Sequence, residues 1–319
     1  MNTSSPASNP FMLPSPVRVG WIGTGVMGAP MCEHVLRAGY ALTVYTRTPS
    51  KAQMLLDQGA RWTESPAALA AETDLVCTMV GFPQDVRRIY LQSDGLLAQA
   101  RAGQVFVDFT TSEPALAREL ASLAGSKYAA ALDAPVSGGD VGAKNGTLSI
   151  MVGGDSAACE AVRPILSVLG KTLVYHGQAG CGQHAKLCNQ MTIAGTMIGV
   201  CEALLYAHRA GLDGDTLLRS IRTGAAGCWT LEHLAPRMLK RDFGAGFFVE
   251  HFIKDMGIAL DEANRMGLLL PGLTLVRKLY LAIQANGHGR SGTHALLLAL
   301  EDLSPTFLTA DSSPHSLST

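Results

Sequence analysis

No cluster of Lys or Arg interrupts this sequence, and 25 basic residues stand against 26 acidic ones for a formal net charge of -1. The electrostatic term that dominates nucleic-acid binding is therefore missing, and nucleic acid is not an expected partner. Charge of either sign is scarce, at 16% of the chain against 47% hydrophobic residues. Part of the apolar surface is thus expected to be covered by further copies, in a homodimer or homotetramer. Paired cysteines are missing too. Cys32, Cys77, Cys159, Cys181, Cys188, Cys201 and Cys228 are odd in number and contain no C-x-x-C, which points to reduced thiols in a cytoplasmic protein. Nine histidines provide neither H-x-H nor H-E-x-x-H, so no metal is expected. Met1 to Pro16 lacks any apolar piece longer than Phe11-Met12-Leu13, and neither a signal peptide nor a membrane span is expected there. Residues 1–16 and the Ser/Thr/Pro-rich 304–319 are expected to be disordered tails.

What the chain does have is length enough for two domains, at 319 residues. From Val17 to about Tyr175, strand-type runs alternate with helical patterns. The runs are Val17 to Ile22, Ala41 to Tyr45, Leu75 to Val80, Val105 to Asp108, Ala129 to Asp133, Leu148 to Val152 and Thr172 to Tyr175. Helix-start signals stand between them, at Ser50, Ser65-Pro66 and Ser112-Glu113-Pro114. Such alternation predicts an α/β domain over 17–177, a Rossmann-type doubly wound parallel sheet with helices on its faces. After Gly177 only helical patterns remain. A helix over about Ala179 to Ala210 would be about 45 Å long, enough to join that domain to an all-helical C-terminal domain over 178–303. Further helices are predicted at about 213–222, 230–240, 252–266, 271–285 and 293–300.

Gly23-Thr24-Gly25-Val26-Met27-Gly28 follows the first strand and opens the first helix, the context in which G-x-G-x-x-G binds a dinucleotide. Gly23 makes the turn, Gly25 lets a pyrophosphate approach the backbone, and Gly28 permits close helix packing. The N–H groups at the helix start would hold the phosphates. The second strand ends in Tyr45-Thr46-Arg47-Thr48, with no acid to accept from a ribose diol. Arg47, flanked by Thr46 and Thr48 and followed by Lys51, suits a 2′-phosphate, so NADP is favoured and NAD remains possible. A strand ending in Asp133-Ala134-Pro135 then runs into Val136-Ser137-Gly138-Gly139, a loop able to offer a hydroxyl and open backbone N–H groups to a carboxylate. Lys186 and Asn189 share one face of the long helix.

Five segments together resemble the β-hydroxyacid dehydrogenases, the group that contains 3-hydroxyisobutyrate dehydrogenase, tartronate semialdehyde reductase and the glyoxylate/succinic semialdehyde reductases. They are Val19 to Gly28, Val107-Asp108-Phe109-Thr110-Thr111, Asp133 to Gly139, Gly180 to Gln190 (GCGQHAKLCNQ) and Lys254-Asp255, and the resemblance covers Val17 to about Leu300. It implies that Ser137, Gly138 and Gly139 hold the carboxylate of a small substrate and that Lys186 is the general acid and base. A partly desolvated cleft would lower that lysine's pKa toward the range useful near neutral pH. Asn189 would hold the substrate carboxylate or hydroxyl. Thr111 would contact the nicotinamide ribose near the substrate, Met79 and Val80 would lie under the same ribose, and Lys254 would reach the cofactor. Gln190 departs from the second asparagine of many members, which changes the amide's reach but not its chemistry. The expected activity is NADP(H)-dependent interconversion of a small semialdehyde acid, or glyoxylate, and its hydroxy acid. A catalytically silent NADP-binding scaffold and an imine reductase of similar fold are the alternatives, and Lys186 counts against both.

Overall fold

The computed structural model describes residues 9–304 and 306–308. The chain divides into two compact units, Met1–Lys186 and Leu187–Thr319.

The first unit is built on a nine-stranded sheet: β1 (Arg18–Ile22), β2 (Ala41–Tyr45), β3 (Arg61–Trp62), β4 (Leu75–Thr78), β5 (Val105–Asp108), β6 (Ala130–Asp133), β7 (Val136–Ser137), β8 (Leu148–Gly153) and β9 (Gly170–Gly177). Their spatial order is β3-β2-β1-β4-β5-β6-β8-β7, with β9 beside β8. β1 to β6 pair in parallel, and the order reverses between β1 and β4, the place where doubly wound sheets bind ligands. Neighbouring side chains on a strand serve opposite faces. Val19, Trp21, Leu75 and Cys77 join one core with Met31 and Val35, while Ile22, Val76 and Phe106 join the other with Leu69 and Leu120. Burial on both faces is why these strands read as unbroken apolar runs.

The helices of this unit are α1 (Gly28–Arg37), α2 (Gln53–Asp57), α3 (Pro66–Glu72), α4 (Pro83–Leu91), α5 (Pro114–Gly125), α6 (Gly139–Asn145) and α7 (Ser156–Leu166). Ser65 Oγ accepts from Ala68 N at 3.1 Å and Pro66 occupies the first turn, so α3 starts where its sequence signal stands.

The expected doubly wound sheet is mostly parallel, with one reversal at its far edge. β8 runs antiparallel to β6 and β7, through Asp133↔Gly153 and Ser137↔Ser149, and β9 then runs parallel to β8. The left-handed backbone of Gly138, Gly139 and Gly146 turns the chain back here. β3 and β7, two residues each, are too short to carry an alternation signal. Asn9 Nδ2 donates to Ala157 O at 2.8 Å, and Phe11 and Leu13 pack on the core, so the tail expected up to Pro16 is packed from Asn9 onward. The rest of that expected tail, 1–8, and residues 305 and 309–319 of the C-terminal one lie outside the described residues.

The second unit takes up α8 (Cys181–Arg209) from Leu187 and adds α9 (Gly214–Ile221), α10 (Trp229–His233), α11 (Ala235–Leu239), α12 (Val249–Arg265), α13 (Pro271–Ala285) and α14 (Leu296–Leu303). α8 is long and apolar enough, by length and composition, to cross a membrane. In this unit its Leu187, Ala194, Met197, Cys201 and Leu204 belong to a core shared with Phe252, Met256, Val276 and Leu297. The single helix expected over 230–240 is interrupted at Leu234, because Pro236 can occupy a first turn but cannot continue a helix.

Candidate active site

The glycine turn is shaped by crowding on one side and space on the other. Gly23 has φ +93°, and a Cβ there would overlap Met79 O. A Cβ on Gly28 would overlap Gly23 O, which also accepts from Trp21 Nε1 at 3.0 Å. At Gly25 nothing lies within 4 Å of the Cβ position. Thr24 Oγ1 is buried and has no hydrogen-bond partner among the described residues. An open backbone position beside an orphaned hydroxyl, at a helix start, fits a dinucleotide pyrophosphate. Val26 is exposed and Met27 packs partly on the core. At the end of β2, Thr46 is half-buried and Thr48 exposed, and Arg47 Nη1 lies 3.2 Å from Asp85 Oδ1 of α4 with its side chain 65% exposed. This surface ion pair is worth at most about 1 kcal/mol.

The segments after β4 and β5 are tied to each other. Asp108 Oδ1 accepts from Thr78 Oγ1 at 2.8 Å and from Thr110 N at 3.0 Å, and Thr110 Oγ1 accepts from Val80 N at 3.0 Å. Met79-Val80 and Thr110-Thr111 are thus held together at the carboxyl edge of the sheet. Burial pushes the Asp108 carboxyl up to about 6, with the Thr110 and Thr78 bonds opposing and Asp133 adding to the rise. Between the usual carboxylate range and about 6 the folded chain keeps a proton that the unfolded chain has lost. Stability from this group therefore declines as pH rises through that window and does not return above it. Asp108→Asn is expected to remove a decline of about 3 kcal/mol, read from urea unfolding at a series of pH values. Unchanged pH slopes would contradict the burial account.

Asp133 has the matching role on the next strand. Its Oδ1 accepts from Gly180 N and its Oδ2 from Gln183 N, each at 2.8 Å, so the last residue of β6 holds the first turn of α8. Burial raises this carboxyl's pKa, and the Gly180 and Gln183 bonds oppose the rise. These bonds draw the start of α8 into the first compact unit, which runs to Lys186. Four residues past Asp133, Ser137 is half-buried at the end of β7, and Gly138 and Gly139 follow with φ +130° and +61°. Lys186, in the second turn of α8, is buried at 7% exposure.

In the second unit, Asn189 Nδ2 donates to Gln190 Oε1 at 2.8 Å, Gln190 Nε2 donates to Asp255 Oδ2 at 2.5 Å, and Lys254 Nζ lies 2.8 Å from Asp255 Oδ1. The longer Gln190 side chain thus links two of the residues singled out in the sequence, Asn189 and Lys254. An ionised carboxylate can only accept, so Asp255 fixes the orientation of both amides. Asp108, Asp133 and Asp255 were legible only as members of motifs. For the first two, an acid closing an otherwise apolar strand was the signal that each is buried with assigned partners. Among the described residues no three His, Cys, Asp or Glu side chains gather as metal ligands would.

Residues 18–177 match the family described as the NAD binding domain of 6-phosphogluconate dehydrogenase, and 180–300 match the NAD-binding region of NADP-dependent 3-hydroxyisobutyrate dehydrogenase. The probable 3-hydroxyisobutyrate dehydrogenase-like 1, mitochondrial, of Arabidopsis thaliana is 53% identical over 94% of this chain and 90% of its own length. The chain belongs to the β-hydroxyacid dehydrogenase family. A β-hydroxyacid dehydrogenase from Escherichia coli, 2-hydroxy-3-oxopropionate reductase, is 36% identical over 89% of this chain and 97% of its own length. The solved structure of Mycobacterium tuberculosis 3-hydroxyisobutyrate dehydrogenase with L-serine has a TM-score of 0.81 at 33% identity, over 89% of this chain and 99% of that one. An imine reductase from Myxococcus stipitatus, at 20% identity and a TM-score of 0.59, shares the fold alone. The protein is accordingly an enzyme of hydroxyacid oxidoreduction that uses a nicotinamide cofactor.

Proposed function

We propose that this enzyme interconverts a small semialdehyde acid, or glyoxylate, and the matching hydroxy acid with NADP(H), using Lys186 as general acid and base. One observation carries the reading. Asp133 both opens the strand-and-loop segment that ends in Ser137-Gly138-Gly139 and holds the first amides of the helix on which Lys186 is buried one turn later. A carboxylate anchor and a proton donor are thereby supported by a single side chain.

The names of relatives support the substrate class. 3-Hydroxyisobutyrate, L-serine and 2-hydroxy-3-oxopropionate share a carboxylate and an oxygen-bearing third carbon, and differ at the second carbon in a methyl, an amino or a hydroxyl group. A site for all three must fix the carboxylate and the reacting oxygen. Ser137 Oγ and the N–H groups of Gly138 and Gly139 hold the carboxylate, and the Asn189 amide, oriented by Gln190, holds carboxylate or hydroxyl. A nicotinamide held at this edge of the sheet would supply or take the hydride at the carbon. Lys186 gives its proton to the carbonyl oxygen as that oxygen becomes a hydroxyl, and takes it back in the oxidation direction. Thr111, Met79 and Val80 would line the ribose, and Lys254, paired with Asp255, would contact the cofactor. Exposed apolar residues of the second unit, among them Tyr206, Trp229 and Leu269, support association of copies.

Arg47 favours NADP over NAD: exposed and tethered to Asp85, it is available for two charged hydrogen bonds to a 2′-phosphate. Arg47→Ala is expected to weaken NADPH binding about 10- to 100-fold and NADH binding by less than about threefold, in fluorescence titrations. Equal losses would remove the phosphate assignment. The activity itself is tested by following absorbance of the reduced cofactor as it forms from NADP+ or NAD+ with 3-hydroxyisobutyrate and L-serine, and as NADPH or NADH is consumed with 2-hydroxy-3-oxopropionate, succinic semialdehyde and glyoxylate. At least one should turn over, faster with the phosphorylated cofactor. Failure of every member with both cofactors would refute the reading.

A further inference from the structure

One side chain joins the Thr110–Ser112 segment to the start of α8. Gln183 is fully buried. Its Oε1 accepts from Ser112 N at 2.9 Å and its Nε2 donates to Thr110 O at 2.8 Å, so a single amide spans the backbone groups on either side of Thr111. Its own backbone N is held by Asp133. Thr110 is fixed on its other side by Val80 N and by Asp108. Lys186 stands three residues after Gln183, on the same face of the helix.

We propose that Gln183 is a positioning residue that keeps Thr111 in register with Lys186. The proposal rests on the reading of Lys186 as general acid and base. A neutral amide suits the task because it offers a donor and an acceptor on separate atoms. Thr110 O can only accept and Ser112 N can only donate, so the orientation of the amide is fixed. A methionine fills the volume but leaves both backbone groups buried without partners. A glutamate keeps the shape and can serve both partners only when protonated, its O–H donating to Thr110 O and its other oxygen accepting from Ser112 N. Once ionised, it sets a second acceptor against Thr110 O.

The titratable groups around this position are Asp108 at the end of β5, Asp133 at the end of β6 and Tyr90 of α4, which line one small internal cavity with Gln183, and Lys186 on α8 itself. Burial and the two carboxylates hold an introduced carboxyl in its protonated form up to higher pH than in water.

The test measures kcat and KM from about pH 5.5 to about pH 9 for wild type, Gln183→Glu, Gln183→Met and Lys186→Ala, with the fastest substrate of the panel above. Amide hydrogen exchange over 109–114 is recorded alongside, without substrate. Gln183→Glu should approach wild type at the acid end and then lose about tenfold in kcat per pH unit above the new titration, with cofactor KM little changed. Gln183→Met should be about 100-fold down in kcat at every pH and exchange faster over 109–114. A Gln183→Glu profile parallel to wild type at any level of activity overturns the proposal. Full turnover by Lys186→Ala would instead remove Lys186 from the mechanism, and would leave the exchange difference of Gln183→Met intact.

Discussion

Lys186→Ala is expected to lower kcat about 1,000-fold in both directions while NADPH titrates with nearly wild-type affinity. The size follows from its role. The lysine is asked to donate a proton to an oxygen that gains charge as the carbon accepts hydride, and a positioned acid contributes about 100- to 10,000-fold to such a step. Selectivity for kcat follows from position. Lys186 is buried on α8, whereas the bonds described for the glycine turn and for the ends of β4 and β5 join Trp21 to Gly23, Val80 to Thr110 and Thr110 to Asp108. A variant that turned over like wild type, or that lost cofactor affinity in proportion to kcat, would contradict the assignment. Rapid-mixing measurement of the hydride step together with a fluorescence titration of NADPH distinguishes these outcomes.

The second large effect belongs to the glycine turn, where two single-methyl substitutions should separate folding from binding. Gly25→Ala places its methyl where nothing lies within 4 Å, so thermal unfolding of the free protein should be nearly unchanged. The same methyl takes the space through which a pyrophosphate would approach the backbone, and NADPH affinity should then fall at least about 100-fold. Gly23→Ala meets Met79 O at once and at φ +93°, so it should lose stability as well as affinity. Calorimetric unfolding and cofactor titration of both variants make the comparison. Retained affinity in Gly25→Ala would mean that the phosphates are held elsewhere.

Much of this was legible in the sequence because the relevant signals are local. β2 and β5 begin and end where their apolar runs do, and α13 fills 271–285 because Pro271 opens it. The glycine turn was legible for the same reason: a strand, three glycines and a helix stand in immediate succession. The reversal at β8 was not legible, because the alternation of Leu148, Ile150 and Val152 reads alike in either direction and only pairing through the short β7 decides it. The break at Leu234 was hidden by an apolar period that continues across it. At the site, the sequence pointed to Lys186, Ser137 and Asn189 as chemical groups. It could not show that Asp133 holds the first turn of the lysine's helix, that Gln183 spans the backbone around Thr111, or that Gln190 reaches Asp255. Each of those depends on a contact between residues about 50 to 75 positions apart. Such contacts are made by packing, which leaves no period in the chain.

The central claim is that a carboxylate anchor and a lysine proton donor act on one small hydroxy acid. It is tested most directly by comparing wild-type kcat/KM for NADP+-linked oxidation of 3-hydroxyisobutyrate with that for its methyl ester. If Ser137, Gly138 and Gly139 hold the carboxylate as proposed, loss of its charge should lower kcat/KM for the ester about 1,000-fold. Equal values for acid and ester would contradict the account.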